Sequence, residues 1–137
     1  MPTATDAAPN PMRESDRHIE LFVHEITVAL LARQPYRVLG LGTFSLCTRR
    51  AVPGRPSSTM ALFRASAELR AFASGGPLPD ISGRHARAVR VIVHGMQNEG
   101  GIAIPKLGRI AVVTVAGRKP KLIFHGAKEL NERLAAL

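Results

Sequence analysis

The sequence predicts an α+β fold built from two similar units, each ordered helix, three strands, helix. Three observations carry that expectation. GLGTFSL at 40–46 and KLGRIAV at 106–112 write the same glycine-then-alternating segment twice. A helical apolar periodicity precedes each segment, and a Phe-led return into a short helix follows each. The spacing is kept as well. Arg17-His18 corresponds to Arg84-His85 at an offset of 67, Gly42 to Gly108 at 66, and Phe63 to Phe124 at 61. The change falls in the hairpin loop, where length varies most easily. Units of about fifty-five residues bury little surface alone, so the two are expected to fold against each other as an intrachain pseudo-dimer.

The elements follow in order. Residues 1–14, with their Pro, Ala and Thr, predict a disordered N-terminal tail and lack the pattern of a secretory signal. The first unit covers 15–75. Ser15 or Asp16 can cap a helix over 15–33, in which Ile19, Phe22, Val23, Ile26, Leu30 and Leu31 recur at helical spacing. Pro35 ends it. Residues 36–39 form a short apolar segment. After Gly42, Phe44, Leu46 and Thr48 alternate with Thr43, Ser45 and Cys47, the period of a half-buried strand. RRAVPGRPSS at 49–58 reads as a loop, 60–63 as a brief strand, and ASAELRAFA at 65–73 as a helix stopped by Gly75, Gly76 and Pro77.

Residues 76–81 read as a linker, and 82–137 repeat the pattern. A helix over 84–97 places Ala88, Val91 and Ile92 on one side and stops at NEGG. A short strand at 102–104 leads to KLGRIAVVTV at 106–115, with Ile110 and Val112 in the places of Phe44 and Leu46. AGRK at 116–119 predicts a tight turn, 121–124 a returning strand, and 127–137 a closing helix.

Composition narrows the function. A hydrophobic fraction of 45% supports a packed core, and aromatics at 4% make that core aliphatic. No apolar run approaches the ~18 residues of a membrane span. The single Cys47 excludes an internal disulfide and fits a reducing cytoplasm. The net charge of +9 is segregated: residues 26–67 hold six arginines and no acid, and 100–128 hold six basic residues and no acid. Segregated positive segments build a field that attracts polyanions. Five scattered histidines, no phosphate-binding loop and no nucleophile elbow argue against an enzyme, a bound metal or a cofactor. Candidate phosphate or groove contacts are Arg49, Arg50 and Arg55 in the first unit, and Arg109, Arg118, Lys119 and Lys121 in the second. Lys128 stands at the start of the last helix, where backbone N–H groups also favour phosphate.

GLGTF at 40–44, LGRI at 107–110, FRASAEL at 63–69 and FHGAKEL at 124–130 together resemble the HU and integration host factor family of bacterial nucleoid DNA-binding proteins. Gly54-Arg55-Pro56 and Gly117-Arg118-Lys119-Pro120 resemble the tips of that family's basic arms. The resemblance implies two HU-like repeats in one chain, whose sheets form a saddle along duplex DNA and bind it largely without reading sequence. It also implies a nucleoid location in the cytoplasm and an arm-tip proline, Pro56 or Pro120, wedged between base pairs. The chain also departs from the family, with Ala67 in the first unit where the second has Lys128. The first helix of the family's helical hairpin has no counterpart, and both arms are short, which predicts weak bending. The runner-up is an HU-fold protein-interaction module that has lost DNA binding. RNA is a further candidate partner, no membrane partner is expected, and the oligomeric state is open between a monomeric pseudo-dimer and a homodimer.

Overall fold

Two three-stranded antiparallel sheets form where the glycine-led alternation predicts them. The structure, a computed structural model, describes residues 9–54 and 58–137, with side chains from Arg17 onward. Helix α1 (Pro9–Leu31) precedes strands β1 (Tyr36–Val38), β2 (Gly42–Arg49) and β3 (Ser58–Ala65) and helix α2 (Ala67–Ala73). Helix α3 (Ala86–Glu99) then precedes β4 (Gly101–Ile104), β5 (Gly108–Val113), β6 (Lys121–Gly126) and α4 (Lys128–Ala135). The chain is therefore α+β, with four helices among the described residues and sheets ordered β1-β2-β3 and β4-β5-β6.

The two sheets share a register. Tyr36, Phe44 and Phe63 lie across one row of the first; Ile102, Ile110 and Phe124 lie across the matching row of the second. Gly42 faces Ala65 and Gly108 faces Gly126. Both glycines have positive φ, 152° and 147°. A Cβ at Gly42 would run into the Arg64 carbonyl, and one at Gly108 into the His125 carbonyl. Only glycine lets the strand entrance approach its neighbour so closely. The flanking bonds match too: Ser66 N donates to Leu41 O and Ala127 N to Leu107 O, each at 3.0 Å.

The halves are interleaved. Helix α4 packs on β3, helix α2 packs on β6, and α1 packs on α3. Phe44, Phe63 and Phe124 meet ring to ring, with centroids 4.8 to 6.1 Å apart, so one core draws on both sheets. Phe22, Ile26 and Leu30 of α1 and Val89, Ile92 and Met96 of α3 complete it. The 76–81 segment is no free tether, because Pro79 is buried and Ile81 packs against the core.

Three expectations are corrected. Helix α1 opens at Pro9, so residues 9–14, expected in a disordered tail, are helical. The first N–H groups of a helix have no intrahelical partner, so prolines at 9 and 11 cost little there. Strand β3 begins at Ser58 and pairs with β2 over its full length, from Gly42↔Ala65 to Arg49↔Ser58, which shortens the predicted 49–58 loop. Strand β5 stops at Val113, two residues short of the alternation expected to run to Val115, so the tight turn expected of AGRK sits within a loop over 114–120. Pro120 has no N–H with which to extend the ladder. Within that loop Arg118 N donates to Val115 O at 3.0 Å around Gly117, whose φ is 79°.

A polar joint ties the two halves together. Arg84 donates to both oxygens of Glu25, with Nη2 to Oε2 at 2.6 Å and Nε to each oxygen at 3.0 Å. Tyr36 donates its hydroxyl to Glu25 Oε1 at 2.9 Å. His85 Nε2 lies 2.7 Å from the Tyr36 oxygen and 2.9 Å from Glu25 Oε1. The Arg84 guanidinium first, and then the Tyr36 hydroxyl, hold the Glu25 carboxyl down from an ordinary 4.5 to about 2. Burial and then Glu25 push the Tyr36 hydroxyl up, and Glu25 raises Arg84. The joint links α1, β1 and the entrance of α3.

Candidate nucleic-acid interface

Strand alternation sorts each sheet into a core face and an outward face. Phe44 and Phe63 point inward, so Thr43 and Arg64, directly opposed, point outward, with Arg37 beside Thr43 on β1. Arg37, Thr43 and Arg64 therefore form one outward row across the first sheet. The matching row of the second sheet is Ala103, Arg109 and His125. All of these but Thr43 are exposed. No acidic residue lies on any strand among the described residues. The acids among the described residues sit on helices and in the linker, so the strands of both sheets carry basic residues without acidic ones.

Beside the first row lies a concavity of about 530 Å³ lined by Arg37, Thr43, Arg64, Ser66 and Arg70, with Glu68 and Asp80 on its rim. Ser66 caps α2 by accepting from Leu69 N at 3.1 Å, which fixes the turn that presents Arg64 and Arg70. The outward faces are not uniformly polar. Leu62, Val113 and Ile123 are exposed large apolar residues on the same faces, and Cys47 stands exposed opposite Met60. Among the described residues no three His, Cys, Asp or Glu side chains gather as a metal site would require. No helix among them is long and apolar enough to cross a membrane.

The residues singled out in the sequence fall into three places. Arg109 and Lys121 lie on the outward face of the second sheet. Arg49 lies outward at the far end of β2, opposite Ser58, and Arg50 follows it, exposed. Arg49 lies six positions beyond Thr43, about 20 Å of strand, so Arg49 and the first basic row mark opposite ends of one ribbon. Arg118 and Lys119 are exposed in the 114–120 loop, Pro120 beside them is half-buried, and Lys128 is the exposed first residue of α4. Arg55 and Pro56 lie outside the described residues.

Arg37, Arg64 and His125 were not among the candidates taken from the sequence. Their signal was parity: each occupies the strand positions that alternate away from Phe44, Phe63 or Phe124. No protein-family model matches the chain, and no curated protein matches it in sequence.

Proposed function

We propose that the protein is a nucleoid-associated DNA-binding protein, not an enzyme, that holds duplex DNA largely without reading its sequence. In this reading the chain is a tandem of two HU-like units folded as the intrachain counterpart of a dimer. The observation that carries it is the pair of outward rows, Arg37–Thr43–Arg64 and Ala103–Arg109–His125, on six strands free of acid. The shared register of the two sheets and the interleaving of α2 and α4 support the pseudo-dimer.

The mechanism is electrostatic. Arginine and lysine on the outward faces neutralise phosphates and release condensed counterions, which gives affinity independent of sequence. Lys121 and Arg49 extend the track toward the two loops, where Arg50, Arg118 and Lys119 reach further. Lys128 adds a charge at the first turn of α4. The loops are short and Pro120 is half-buried, so bending is weak. A protein-interaction role is the second reading, favoured by Leu62, Val113 and Ile123 exposed on the same faces.

Fluorescence anisotropy of a labelled duplex in a salt series tests the proposal. Binding is expected at low salt, with log affinity falling by about 0.9 per phosphate neutralised for each decade of salt. Competition by unlabelled RNA separates a DNA role from a general polyanion role. Absence of binding at low salt would leave the protein-interaction reading in its place.

A further inference from the structure

A second groove is lined by none of the six residues of the outward rows. It has a volume of about 750 Å³ and runs between α1 and α4 beside the β4–β5 turn. Ile19, Val23 and Leu130 give it an apolar floor. Its charged lining is balanced: Glu20 and Glu129 against Lys106 and Arg133.

Two observations identify what fits there. The first is charge. In a chain of net charge +9, most surface repels a second copy, whereas this groove carries two acids and two bases. A polyanion gains nothing from it, but a copy of the same groove can match each acid with a base. The second is shape. Helix α1 supplies one wall of the groove and, on the same helix, the exposed apolar residues Leu21 and Val28, one heptad apart. Val28 is 51% exposed and borders the groove. A ridge and a groove carried side by side on one helix are satisfied together by a twofold axis, because each copy then offers its ridge to the other's groove.

We propose that a second copy of this chain docks at the α1/α4 groove, α1 against α1, to form a twofold dimer. None of the residues that line the groove belongs to the outward rows Arg37–Thr43–Arg64 and Ala103–Arg109–His125. Each particle then carries two nucleic-acid faces and can bridge two duplexes, a consequence that rests on the function proposed above; the dimer itself does not.

Sedimentation equilibrium of the full chain without nucleic acid, from low micromolar to submillimolar concentration at moderate salt, tests it. The expected mass is twice the 14.7 kDa of the single chain. Val28→Glu should return the single-chain mass with an unchanged thermal melt, since Val28 is not a core residue. Glu129→Lys, which breaks the charge balance at an exposed position, should weaken association about tenfold or more. Leu78→Glu, exposed in the linker away from the groove, should leave the dimer intact. A single-chain mass at every concentration overturns the proposal, as does a dimer that both groove variants leave unchanged. Salt-sensitive DNA binding by a strictly monomeric chain would remove the dimer and keep the DNA reading.

Discussion

The sheets β1–β3 and β4–β6 place a glycine, an apolar row and an outward row with at least one arginine at the same positions, yet they are finished differently at their edges. Where the first turns from β1 to β2 through Gly40 at φ 81°, the second uses Lys106 at φ 65°. Where Ser66 caps α2 with its hydroxyl, Ala127 stands at the same place before α4 and makes no side-chain cap. Phe44 fills the core row of one sheet and Ile110 that of the other. What the halves keep is what backbone close approach demands; what they change is what a neighbour can absorb. At Gly42 and Gly108 a carbonyl fills the space, and nothing can give. At a helix cap, water can replace a lost hydroxyl.

The strongest way to break this comparison is to fill the two kept positions. Gly42→Ala and Gly108→Ala should each cost about 2–3 kcal/mol, because the new methyl meets the Arg64 or His125 carbonyl and the backbone must shift. Urea unfolding measures both. A silent substitution in one half would show that its strand entrance is not held as the other is.

The joint between the halves comes next. Glu25→Gln should cost about 1 kcal/mol near neutral pH, discounted because Arg84 is largely exposed. The folded carboxyl titrates near 2, below its ordinary 4.5, so its stabilising contribution is fully present above 4.5 and is lost as pH falls toward 2. Parent and variant stabilities measured across that window should therefore converge at the acid end. A difference that stays constant to pH 2 would remove Glu25 from the joint.

The smallest effects belong to the caps and should have opposite signs. Ser66→Ala should lose about 1 kcal/mol, and Ala127→Ser should gain about 0.5–1 kcal/mol, by thermal melting. Equal responses at the two sites would mean that the capping difference has no energetic consequence.

Much of the frame was legible in the sequence because it rests on periodicity. Phe44, Leu46, Ile110 and Val112 mark the strands by a period of two, and Phe22, Ile26 and Leu30 mark α1 by a helical one. The start of α1 was hidden because Pro9 and Pro11 read as tail, although the first turn of a helix tolerates them. The site was half legible. Charge segregation pointed to arginines near the loops, but Arg37 and Arg64 needed strand register to be seen as one row. The Glu25–Tyr36–Arg84–His85 joint could not be read at all, because its members come from three distant segments and carry no shared spacing.

The central claim is that duplex DNA lies on the outward basic rows. The most direct test compares the salt dependence of duplex binding for the parent and for Arg37→Ala, Arg64→Ala and Arg109→Ala combined. The account predicts weaker binding to every sequence tried and a log–log salt slope shallower by about 0.9 for each arginine that neutralised a phosphate. An unchanged slope with unchanged affinity would contradict it and move the nucleic acid off these faces.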